Sequence, residues 1–143
     1  MFNQWLKKVL KLKKKNSSLI KVLIIEDNPV DVKMIEKAVH ACGHNSLIAY
    51  DGRSGIAMAI EHKPNLIILD YGLPDINGAK VLDEIRSMKE TSSEAVMVLT
   101  VLTDPSVVLD SFEHGADQYF KKPISVSYLT RQIQVMLRQP HKN

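Results

Sequence analysis

The chain has 143 residues, 45% of them apolar and 24% charged, which suits one globular domain with a sizeable core and argues against two. No apolar run approaches the roughly 18 residues needed to cross a bilayer, and the single cysteine, Cys42, excludes an internal disulfide and a cysteine-built zinc site. The formal net charge of +3 is unevenly spread: residues 1–20 hold six lysines and no acid, leaving 13 basic against 16 acidic groups in the rest. A cytoplasmic, reducing compartment is the expected localisation.

The basic head, MFNQWLKKVLKLKKKNSS over residues 1–18, comes first. Phe2, Trp5, Leu6, Val9 and Leu10 fall on one helical face, while Lys7, Lys8, Lys11, Lys14 and Lys15 occupy much of the rest. Residues 2–15 thus have the pattern of a peripheral helix on an anionic membrane surface, with Trp5 as its interfacial anchor. The same residues also fit a frayed tail or a helix docked on a protein partner. Charges interrupt any secretory apolar core.

Beyond the head, β-branched runs alternate with helical patterns. KVLIIED (Lys21–Asp27) reads as a buried strand, after which Asn28 and Pro29 suit a helix cap and first turn. Met34, Ile35, Ala38 and Val39 follow at helical spacing until Gly43. Ser46–Tyr50 is a second strand, stopped by an Asp51-Gly52 turn, and a helix crosses Ile56–Glu61. Leu66–Leu69 is the third strand, and Val81, Leu82, Ile85 and Met88 give the next helix its apolar stripe. Ala95–Thr100 is the fourth strand, and Asp104-Pro105 opens a helix that Gly115 closes. Asp117–Phe120 is the fifth strand, and Leu129, Ile133, Met136 and Leu137 share a face of the last helix. Five such strands and five such helices predict an α/β fold, a doubly wound parallel sheet covered on both faces.

Ligands of open α/β sheets sit beyond the carboxyl ends of the strands. Here those ends carry Glu26 and Asp27, then Asp70, then Thr100, and finally Lys121, Lys122 and Pro123. Close carboxylates repel and call for a shared proton or a cation. Hard oxygen ligands suit a magnesium ion that keeps several waters and takes up phosphate oxygens. With that charge neutralised, Asp70 has the chemistry of a nucleophile towards an activated phosphoryl group. Lys122 and the Thr100 hydroxyl supply positive charge and a donor for the transferring oxygens. Taken singly, the acidic pair reads as a capping turn, the threonine as structural and the lysine as surface charge. Their joint occurrence at strand ends is what favours chemistry.

The stretches VLIIEDNP, LIILDYGLPDINGAKVLDEIR, VMVLT and GADQYFKKP resemble response-regulator receiver domains of two-component signalling. The resemblance covers about Lys21 to Arg138 and implies a flavodoxin-like strand order of 2-1-3-4-5. It divides the chain into a basic extension (1–18), a receiver domain (19–139) and a short tail (140–143). It implies Asp70 as phosphoacceptor and Glu26, Asp27, Asp70 and the Gly72 backbone carbonyl as Mg2+ ligands. Thr100 and Lys122 would act on the phosphoryl group, and Lys122–Pro123 would be a cis bond. Tyr119 resembles the aromatic switch whose ring turns inward as Thr100 moves, changing the surface of the fourth helix, fifth strand and fifth helix. The implied partners are a sensor histidine kinase or histidine phosphotransfer protein and a downstream protein target, with a phosphorylation-dependent homodimer left open and no nucleic acid expected. The only catalysis expected is the domain's own phosphoryl transfer onto Asp70 and its own dephosphorylation.

Two positions depart from the commoner family pattern: Val101 stands where a smaller residue is usual, and Gly72 offers no side chain to place a hydrolytic water. Both bear on the lifetime of the phosphorylated state. With no second domain expected after residue 143, output would pass through contact with another protein. A receiver-like scaffold that never uses its acceptor is the alternative. A haloacid-dehalogenase-type phosphatase would want a second aspartate where Gly72 stands, and a flavodoxin would want a hydroxyl-rich loop after the first strand.

Overall fold

Lys21–Ile25 forms β1, and Val22 to Ile25 are all buried, as a strand sandwiched between two helical layers requires. The computed structural model describes residues 3–9 and 20–138. After β1 come α1 (Pro29–Ala41), β2 (Asn45–Ala49), α2 (Gly52–His62), β3 (Leu66–Leu69), α3 (Gly78–Ser87), β4 (Ala95–Thr100), α4 (Pro105–Glu113), β5 (Gln118–Lys121) and α5 (Val126–Arg138). The strands are all parallel and run β2-β1-β3-β4-β5 across one sheet, the order implied by the family resemblance.

The two-residue strand period sorts the central side chains into two cores. Leu23, Ile25, Ile67, Leu69, Val96 and Val98 face α2 and α3, and Val107 of α4 packs against the same layer. Val22, Ile24, Leu66, Ile68, Met97 and Leu99 face the other way, onto α1 and α5. Each fully buried aliphatic side chain contributes about 1.5–3 kcal/mol. That double layer makes the carboxyl rim of the sheet rigid.

Several helix starts match the expectations. Asn28 accepts from the backbone N–H groups of Val30 and Asp31, and Asp104 accepts from that of Ser106, each with proline in the first turn. The expected Asp51-Gly52 turn is instead the cap and first residue of α2. Asp51 accepts from the Ser54 N–H at 2.7 Å, while Asp75 accepts from those of Gly52 and Arg53 at 2.8 and 2.9 Å. β2 starts one residue earlier than expected, and β5 starts one later. Asp117 is left outside β5 because its carboxylate accepts from the Val96 N–H and the Arg86 guanidinium.

Residues 3–9 form a short helix in which Trp5 and Leu6 are exposed. Phe2, Leu10, Lys11, Lys14 and Lys15 of the expected amphipathic face lie outside the described residues, as does the tail beyond 138. No helix among the described residues is long and apolar enough to cross a membrane.

Candidate functional site

The sheet ladder continues one residue past the strands and so fixes the rim. The Asp70 N–H donates to the Ile25 carbonyl at 2.9 Å, that of Glu26 to Ala49 at 3.0 Å, and that of Lys122 to Thr100 at 2.9 Å. Glu26, Asp70 and Lys122 thereby leave the sheet at its C-terminal edge. Carboxylate oxygens of Glu26, Asp27 and Asp70 all lie within 4.8 Å of one another. Glu26 is 1% exposed and Asp70 8%, whereas Asp27 stands in solvent. The cluster is open on one side.

Lys122, one residue past β5, balances it. Its side chain is 7% exposed, and its Nζ lies 2.6 Å from Glu26 Oε2, 2.8 Å from Asp31 Oδ2 and 3.6 Å from Asp70 Oδ2. Burial favours the neutral amine, but the bonds to Asp31 and Glu26 and the charge of Asp70 outweigh it and raise the Lys122 pKa. Burial also drives the Glu26 carboxyl up to about 7, against the Lys122 and Asn28 bonds that stabilise its anion. The site therefore holds a committed ammonium and a carboxylate strained by poor solvation. The Lys122–Pro123 peptide bond is cis.

A second group of residues flanks the acceptor. Asp70 Oδ1 accepts from the Gly72 N–H at 3.2 Å. Thr100 is fully buried, and its Oγ1 accepts from the Leu102 N–H at 3.4 Å. The Tyr119 hydroxyl donates to the carbonyl of the same Leu102, and its ring packs on the core under α3 and α4. Leu102 thus bridges the two residues expected to switch together. Val101 is 64% exposed, so its side chain stands at the rim and fills no part of the core. Tyr71, next to Asp70, is buried and donates to Asp110 Oδ2 of α4 at 2.6 Å. Burial first, then that bond to a carboxylate, raises its pKa.

A family model described as the response regulator receiver domain matches residues 22–134. The chain belongs to the response-regulator receiver family. Response regulator ArlR of Staphylococcus saprophyticus is 33% identical over 126 residues, which are 87% of this chain and 56% of that protein. The chain spans about half the length of the curated relatives it matches. A CheY-like receiver domain protein of Methanospirillum hungatei superposes with a TM-score of 0.78 at 24% identity, covering 84% of this chain and 94% of that one. The receiver domain of sensor histidine kinase PA1611 of Pseudomonas aeruginosa, solved with a magnesium ion in its active-site cleft, also gives 0.78 at 24% identity, over 85% of this chain and all of that one.

Receivers are phosphoacceptor switches that bind Mg2+ in an acidic pocket and work with histidine kinases or phosphotransfer proteins. The donor set of this receiver fits that ion: three clustered carboxylates, one reaching solvent, are hard ligands that leave room for waters. Of the residues expected from sequence, Glu26, Asp27, Asp70 and Lys122 come together, while Thr100 and Tyr119 meet through Leu102. Sequence reasoning missed Asp31, whose signal was an acidic residue in the first turn of α1, just after the Asn28 cap and Pro29 and beside the strand end that carries Glu26 and Asp27. It also missed Tyr71, whose signal was Gly78: a Cβ there would stand 2.3 Å from the Tyr71 ring and 2.7 Å from its Cα.

Proposed function

We propose that Asp70 is the residue that accepts the phosphoryl group, from the phosphohistidine of a sensor kinase or phosphotransfer protein. The observation that carries this is a strand-end carboxylate held beside two others and 3.6 Å from a buried ammonium. A carboxylate oxygen of Asp70 attacks phosphorus, a P–O bond forms as the P–N bond to the donor histidine breaks, and the electron pair leaves on the imidazole. Glu26, Asp27, Asp70 and the Gly72 carbonyl would hold Mg2+, which when bound supplies charge neutralisation to acceptor and phosphoryl oxygens. Lys122 donates to one of those oxygens and the Thr100 hydroxyl to another.

Moving the Thr100 hydroxyl towards the phosphoryl group removes the Leu102 N–H bond, and Leu102 carries the Tyr119 bond with it. The change would reach α4, where Leu109 and Phe112 are exposed apolar residues suited to a protein partner. The test is amide NMR of parent and Asp70→Asn with Mg2+ and a phosphodonor. Shifts at Thr100, Leu102 and Tyr119 in the parent alone support the switch; an unchanged parent spectrum with Asp70 modified contradicts it.

The same proposal divides the chain into extension (1–18), receiver (19–139) and tail (140–143). Six lysines in residues 1–20 and the exposed Trp5 and Leu6 favour peripheral contact of the extension with an anionic bilayer. Co-sedimentation with anionic but not neutral vesicles, lost in Lys7→Glu/Lys8→Glu, checks it; equal recovery from both vesicle types counts against it.

A further inference from the structure

We propose that Asp31 is a positioning residue for Lys122, holding its ammonium off Asp70 so that the acceptor carboxylate stays available for attack. This rests on the reading of Asp70 as acceptor. An ammonium has three donors. Two of them are taken at contact distance by Glu26 and Asp31, whereas the 3.6 Å to Asp70 is longer than a hydrogen bond. The lysine therefore leans towards its reaction partner without pairing with it.

Of the two anchors, Glu26 is committed elsewhere. It belongs to the three-carboxylate cluster, and its other oxygen accepts from the Asn28 N–H at 3.1 Å. Asp31 lies outside that cluster, so its Oδ2 serves Lys122 whatever occupies the acidic pocket. It is also rigidly placed. Pro29 and the Asn28 cap, which accepts from the Asp31 N–H itself, fix the first turn of α1. Without this anchor, Coulomb attraction would close the ammonium onto Asp70 Oδ2 and occupy a carboxylate oxygen otherwise open to the incoming phosphoryl group.

A charge near the helix N-terminus stabilises the helix by itself, so the experiment must separate that role from positioning. Parent, Asp31→Asn and Asp31→Glu are compared for thermal unfolding, for the rate of adduct formation with a small acyl phosphate and Mg2+, and for the NMR signal of the Lys122 ammonium without donor or metal. Asp31→Asn is expected to unfold slightly below the parent, as loss of one helix-terminal charge requires, to shift the ammonium signal and to slow adduct formation roughly 10- to 100-fold, the scale of a misplaced catalytic group. Asp31→Glu, which keeps the charge, is expected to restore most of the rate. An unmoved ammonium signal, or a slow Asp31→Glu paired with a lowered unfolding temperature in both variants, would overturn the proposal. Should the parent form no adduct, the acceptor reading fails, while the ammonium signal still decides whether Asp31 holds Lys122.

Discussion

Lys122 carries more of the site than any other side chain, because three carboxylates point at one ammonium. Replacing it with methionine keeps most of the volume and leaves the anions uncompensated. Breaking a buried ion pair from one side costs several kcal/mol, and partial solvent access at Asp31 reduces that to about 2–3 kcal/mol here. Denaturant unfolding of Lys122→Met should show that loss, and added Mg2+ should recover part of it by supplying the missing positive charge. A loss that Mg2+ leaves untouched would mean packing dominates. The four charged residues at strand ends were legible because an acid or lysine closing an apolar run is conspicuous. Asp31 was less so, since its role depends on how far Lys122 reaches across from the end of β5. Leu102 was hidden altogether: it acts through its backbone, which no side-chain type advertises.

Among the elements, α3, α4 and the loop after β3 are tied by one chain of contacts. His114 Nδ1 lies 2.6 Å from Asp83 Oδ1 and its Nε2 3.2 Å from Asp110 Oδ1, while Asp110 Oδ2 accepts from Tyr71 beside the acceptor. The Asp83 bond, against a smaller desolvation effect and with help from Asp110, raises the His114 pKa above the ordinary 6.5. A raised histidine pKa stabilises the fold fully below the unfolded value and loses that contribution as pH rises through the folded value. The destabilisation of His114→Gln relative to parent should therefore be largest below about pH 6.5 and shrink above the folded pKa. Urea unfolding across that interval measures it, and a pH-independent difference would remove the charged histidine from the account. Secondary structure at this scale was readable from apolar period and caps. The Asp51-Gly52 pair misled because a short acidic residue before glycine serves a tight turn and a helix start equally well; the loop carboxylate of Asp75 decides between them.

Over the whole molecule, the parallel double-layered sheet followed from β-branched runs separated by helical ones. The strand order did not; it came with the family resemblance, because spacing alone does not choose among right-handed crossovers. That order matters for function, since it sets β3 between β1 and β4 and so brings Asp70 to Glu26 on one side and to the Thr100 strand on the other. The most direct measurement is intact mass after the protein, with Mg2+, is offered a small acyl phosphate and then a phosphohistidine donor. The account predicts a gain of one phosphoryl group that hydroxylamine removes and that Asp70→Asn does not acquire. Modification of Asp70→Asn to the same extent, or a parent that binds Mg2+ and takes no phosphoryl group from either donor, would contradict it.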